Sequence, residues 1–129
     1  MSGSRSRILV ALAASTLLVV ALSGTAEASA PGKGTTTVIS AVGSYYSSPH
    51  WSPSLTRITR GTTIEWLAVT NDHHIAAYGG NWRYNQALPN GAHVDRRFPM
   101  SGTFLFRCLI HSTLANGVCQ GMCGKIIVH

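Results

Sequence analysis

A thiol, an imidazole and a thioether lie close together near the C-terminus. Cys108-Leu-Ile-His111 ends the apolar segment Gly102-Thr-Phe-Leu-Phe-Arg, and Met122 stands just before the closing run Lys125-Ile-Ile-Val128. A lone Cys in a strand more often packs or pairs. Here the His three residues on and the Met beyond it favour ligation. Thiolate, imidazole and thioether together suit a copper ion, which such a set holds as Cu(I) or Cu(II) without being rebuilt. A second imidazole is needed. His73 and His74 are adjacent, so in an extended segment they face opposite ways and only one can turn to a metal. His50, His93 and His129 read as surface histidines.

These donors need a frame, and the chain supplies strands. Thr35 to Val42 is rich in Thr, Val and Ile. Leu55 to Ala68 is broken in two by Gly61, and Ile64, Trp66 and Ala68 alternate with Thr63, Glu65 and Leu67 in the period of a half-buried strand. Ile75 to Tyr78, Ala92 to Phe98, Gly102 to Cys108 and Lys125 to Val128 complete the set. Asn71 to His74 reads as a turn, Gly43 to Pro53 as a loop with aromatic anchors, and Gly79 to Pro89 as a loop. Asn90-Gly91 is a turn signal. Trp82 is either a docking residue or packing. No long amphipathic helix and no internal repeat is visible, so the expectation is an all-β sandwich.

The N-terminus reads as a leader. Arg5 and Arg7 precede an apolar run from Ile8 to Leu22, then small residues with an Ala26-x-Ala28 site. That is the layout of a secretory signal peptide, and the run is short of the roughly 20 residues that span a bilayer. We therefore expect a signal peptide at 1–28 and one domain at 29–129, exported to the periplasm, cell envelope or medium, with no transmembrane span in the mature chain. Without Arg5, Arg7 and Glu27, eight basic and three acidic side chains remain, a balance of +5. Such a domain suits acidic partners. The basic residues are scattered, with Arg96-Arg97 the only adjacent pair, so nucleic acid is not expected. Three Cys is an odd number for an oxidising compartment: one disulfide would leave one thiol over, and metal ligation is one explanation for it.

Four pieces, in order, carry a family resemblance: Trp51-Ser-Pro53 with Ile58 and Gly61-Thr-Thr-Ile64-x-Trp66; His74 eight residues after Trp66; Leu88-x-x-Gly91 with Phe98-x-x-x-Gly102-x-Phe104-x-Phe106-x-Cys108; and Met122-x-Gly124-Lys125-Ile126-x-Val128. From Trp51 to Val128 the chain resembles the cupredoxins, the blue-copper fold of plastocyanin, pseudoazurin and amicyanin. The resemblance implies a Greek-key β-sandwich with one copper held by His74, Cys108 and His111 and by Met122 as weak axial ligand. It also implies a monomeric carrier of single electrons between a donor and an acceptor protein, with the His111 edge exposed through an apolar patch. It favours His74 over His73 by spacing. The chain departs from the family at Ala68, where an Asn is common, and in the ligand loop, where ten residues from Ser112 to Gly121 separate His111 from Met122.

That insertion holds Cys119, and Cys123 follows Met122. A turn can bring residues four apart within the roughly 7 Å that a disulfide spans, so Cys119 and Cys123 could pair and leave Cys108 free. A paired-Cys binuclear copper loop is disfavoured, because Lys125-Ile-Ile-Val128 reads as strand. Two other functions stay open: a copper module for storage, sensing or handover, and a metal-free sandwich with Cys108 in a disulfide to Cys119 or Cys123. A carrier does no bond chemistry, so no enzymatic activity is expected, and multicopper oxidase activity in particular is disfavoured by the single domain and the lack of the His-x-His motifs of a trinuclear cluster.

Overall fold

The computed structural model describes residues 34–129. The leader expected at 1–28 lies outside them. Nine strands follow in order: β1 (Thr36–Val42), β2 (His50–Ser52), β3 (Leu55–Ile58), β4 (Thr63–Ala68), β5 (His73–Tyr78), β6 (Asn85–Leu88), β7 (His93–Arg97), β8 (Gly102–Ala115) and β9 (Val118–Val128). One sheet has the order β2-β1-β4-β7 and the other β3-β9-β8-β5-β6. β1 pairs with β4 and β3 with β9 in parallel, and the remaining pairs are antiparallel. Among the described residues there is no helix, and so none long and apolar enough to cross a membrane.

Alternation along the strands builds the core. β4 buries Ile64, Trp66 and Ala68, and β1 buries Ile39 and Ala41 from the same sheet. The facing sheet contributes Ile75, Phe104, Phe106, Cys108, Met122, Ile126 and Val128. Trp66 sits among Tyr84, Phe98 and Phe106 at centroid distances of 5.5, 6.4 and 5.5 Å. Aromatic pairs at such distances add about 0.5–1.5 kcal/mol each beyond burial.

Besides β5, which starts at His73 inside the stretch that reads as a turn, three regions differ from the sequence expectation. β2 and β6 fall inside stretches that read as loops. β6 is a short edge strand whose first three residues are exposed, so no apolar alternation marks it. The third difference is the insertion after His111. Instead of a loop, β8 runs on to Ala115 and β9 starts at Val118. The turn between them is Asn116-Gly117, both at positive φ (50° and 77°). Asn-Gly between strands is a strong two-residue hairpin signal, so this extension was readable from the residues themselves.

Candidate metal centre

His73, Cys108 and His111 bring one donor atom each to a common point, all three within 4.8 Å of one another. Cys108 Sγ lies 3.5 Å from His111 Nδ1 and 3.8 Å from His73 Nδ1, and the two nitrogens are 3.2 Å apart. All three side chains are buried, and Cys108 is free.

Local structure explains the convergence. β8 and β9 are in register up to Arg107↔Cys123 and again from Ser112↔Gly121. Between those pairs, residues 108 to 111 stand opposite Met122 alone. The surplus bulges out of the ladder, and the bulge is where Cys108 and His111 turn to the same side. The hydroxyl of Ser112 closes it by donating to the Cys108 carbonyl at 2.5 Å. Gly121 makes room for it: φ there is 95°, and a Cβ would come within 2.5 Å of the His111 carbonyl. Met122 is buried opposite the bulge, and its carbonyl accepts the Trp51 indole N–H at 3.1 Å.

Spacing favours His74, but the structure turns His73, not His74, into the cluster. β5 alternates, and the core residue Ile75 sets its parity, so His73 faces inward with Ile75 and His74 faces away. His74 Nε2 meets the Asn85 side chain on β6 instead. Its backbone still serves the site: the His74 N–H donates to Cys108 Sγ at 3.4 Å. On the other side of the His73 ring, Nε2 donates to the Thr70 carbonyl at 2.8 Å. A carbonyl only accepts, so this bond places the proton on Nε2 and leaves the Nδ1 lone pair facing the cluster.

Burial lowers the proton affinity of both imidazoles. For His73 the loss of solvent outweighs the Thr70 carbonyl and Asp72, which pull the other way. For His111 burial is again the main cause, and His73 adds to it. Neutral imidazoles are the form a metal binds.

The separations fit a single ion. With metal–nitrogen bonds of about 2.0 Å and a metal–sulfur bond of about 2.3 Å, three donors at roughly 100–120° around one centre stand about 3.1–3.7 Å apart. The observed distances are close to that range. Two imidazoles and one thiolate in a triangle form the donor set of a blue-copper centre.

Of the remaining cysteines, Cys119 and Cys123 form a disulfide with Cα atoms 6.1 Å apart. That pairing leaves Cys108 for the metal and removes the metal-free reading in which Cys108 is oxidised. Trp82 turns out to be packing: its indole donates to the Leu105 carbonyl at 2.9 Å, and its ring stacks on Tyr84. Tyr45, one of the aromatic anchors of the Gly43 to Pro53 loop, reaches the site. Its ring meets His111 edge-on at 4.7 Å, and its hydroxyl donates to the Ile110 carbonyl. An aromatic residue in a Gly/Ser loop was visible as an anchor, but its partner 66 residues away was not.

No protein-family model matches the chain, and no curated protein does. Solved structures do. The chain is similar to pseudoazurin from Methylobacterium extorquens AM1 at 18% identity with a TM-score of 0.57, over 72% of this chain and 74% of that one. It is similar to a purple cupredoxin from Nitrosopumilus maritimus at 19% identity and TM-score 0.57, over 72% and 99%. A reduced mutant of amicyanin matches at 14% identity and TM-score 0.57, over 75% and 84%. Likeness at such identities is a likeness of fold: the chain is a β-sandwich of the cupredoxin type. Its own His73–Cys108–His111 cluster, independently of those relatives, has the donors and spacing for one copper ion.

Proposed function

We propose that the protein carries single electrons through one type 1 copper. His73, Cys108 and His111 would hold the ion, with Met122 as a further, weak donor. When bound, the copper supplies a one-electron couple. The observation that carries this reading is a cluster already formed and already supported. The Thr70 carbonyl holds His73, the His74 amide supports the thiolate, and Ser112 closes the bulge. Donors held in this way do not have to move when the charge on the ion changes. The same burial weighs against handover of copper to another protein, because the three donors would have to open to release it.

On this reading the protein does no bond chemistry, and its partners are a donor and an acceptor protein. The +5 balance of residues 29–129 favours acidic ones. The leader pattern at 1–28 supports export from the cytoplasm after cleavage, and the cupredoxin resemblance supports a monomer.

The test is direct. Cu(II) added to residues 29–129 should give an intense visible thiolate-to-copper band, absent in Cys108→Ser, and voltammetry should give a reversible one-electron wave. A band without a reversible wave would favour the storage or handover module. No band from protein with a free Cys108 thiol would refute the copper reading.

A further inference from the structure

We propose that Tyr45 is the gatekeeper of His111: its ring closes the outer edge of the imidazole to small solutes, so whatever exchanges electrons there must first meet Tyr45. His111 Nδ1 is committed to the donor cluster. Nε2 is therefore the nitrogen a reagent or a partner would reach. An open groove of about 370 Å³ runs up to this residue, lined by Ile110, Ser112, Thr113, Gln120 and Gly121 together with Tyr45. Despite the groove, His111 is only 9% exposed. His111 itself lines the groove, and the Tyr45 ring stands against it there, edge-on at 4.7 Å and inclined by 63°.

General burial does not explain this placement. Tyr45 is itself 71% exposed, and its neighbour Tyr46 is fully exposed. Two specific contacts hold the ring instead. The hydroxyl donates to the carbonyl of Ile110, the residue before His111. The loop beneath it is braced, with the Ser47 amide on the Ser44 carbonyl at 3.0 Å and the Ser44 amide on the Ser47 hydroxyl at 2.9 Å. The Gly43 amide is bound to the Thr70 hydroxyl at 2.9 Å, and Thr70 is the residue whose carbonyl holds His73. One loop thus touches the supports of both histidines.

The test compares wild type, Tyr45→Phe and Tyr45→Ala. In the metal-free proteins, diethyl pyrocarbonate labelling at neutral pH is followed residue by residue by peptide mass mapping, with exposed His50 and His93 as internal standards. His111 should label more slowly than His93 in wild type. Labelling should rise slightly in Tyr45→Phe, which keeps the ring and loses the tether, and about three- to tenfold in Tyr45→Ala, which loses an aromatic edge contact and one hydrogen bond. In the copper-loaded proteins, oxidation of Cu(I) to Cu(II) by hexacyanoferrate(III), which takes up the one electron, should accelerate in the same order. The visible band and the labelling of His50 and His93 should not change, which separates local uncovering of His111 from a general loosening of the fold. Equal labelling of His111 in wild type and Tyr45→Ala, or labelling in wild type as fast as that of His93, overturns the proposal. The oxidation arm rests on the proposed copper site and the labelling arm does not. A protein that never develops the copper–thiolate band therefore sinks the carrier reading, and the labelling result still decides on Tyr45.

Discussion

Gly124→Ala separates two physical arguments of opposite sign. Gly124 is directly opposite Phe106 across β8 and β9. Its backbone is not in the left-handed region, so Ala fits the main chain there, and conformational entropy alone predicts a gain of about 0.4–1 kcal/mol. Packing predicts the reverse. A Cβ on residue 124 would lie 2.6 Å from both Cε1 and Cε2 of Phe106 and closer still to Cζ. The ring has nowhere to go: it is fully buried, with its centroid 5.2 Å from that of Trp51 and 5.5 Å from that of Trp66. Overpacking of a core costs about 1–3 kcal/mol, and a clash with three atoms of a rigid ring belongs at the top of that range. For a domain of about 100 residues, each kcal/mol moves the melting temperature by roughly 4–8 °C, so a loss of about 3 kcal/mol lowers it by about 12–24 °C. Thermal and urea unfolding of the metal-free domain would measure this. A Phe106→Leu background should absorb most of the cost, giving a coupling term in a double-mutant cycle. A melting temperature equal to or above wild type, or the same loss in both backgrounds, would refute the packing argument.

Three further predictions concern the site. His73→Gln should weaken copper binding by more than the 10–100-fold typical of an outer support, whereas His74→Gln, which keeps the amide bond to Cys108 Sγ, should stay within about tenfold. Competition with a Cu(I) chelator distinguishes them, and a larger loss in His74→Gln would reverse the assignment. Replacing Cys119 and Cys123 together by Ser should cost about 2 kcal/mol on a chain-entropy model for a five-residue loop, read as a lower urea midpoint; an unchanged midpoint contradicts it. The metal-free protein should also lose stability in acid. Burial holds His73 and His111 below their ordinary value of 6.5, so the unfolded chain binds protons first. This contribution is whole above about pH 6.5 and is lost as pH falls through the folded values. A melting temperature that holds or rises as the metal-free protein is acidified from neutral pH would count against it.

Much of the fold was legible because its signals are local. Ile64, Trp66 and Ala68 announce a half-buried strand, and Phe104, Phe106 and Cys108 announce another. The hairpin after His111 is equally local: Asn116-Gly117 between two strands is its signal. The choice between His73 and His74 was legible by a different route. Counting back by twos from Ile75, an apolar residue in a strand, gives the inward histidine, whereas spacing from Trp66 crosses a turn and carries no parity. β6 left no trace because an edge strand with an exposed face has no pattern to show.

By itself the sequence determined the class of chemistry: a thiol, imidazoles and a thioether on short strands, with a second and third Cys near enough along the chain to pair. Those are matters of residue type and short separation. Tertiary structure decided which atoms meet. Residue 73 lies 35 positions from residue 108, and only the pairing of β5 with β8, and of β8 with β9 around a four-residue bulge, puts their donor atoms within one metal's reach. The same holds for Tyr45, which meets His111 because the loop after β1 folds across the end of the sandwich. Alternation orients a side chain within its own strand, and strand pairing sets which side chain lies opposite it.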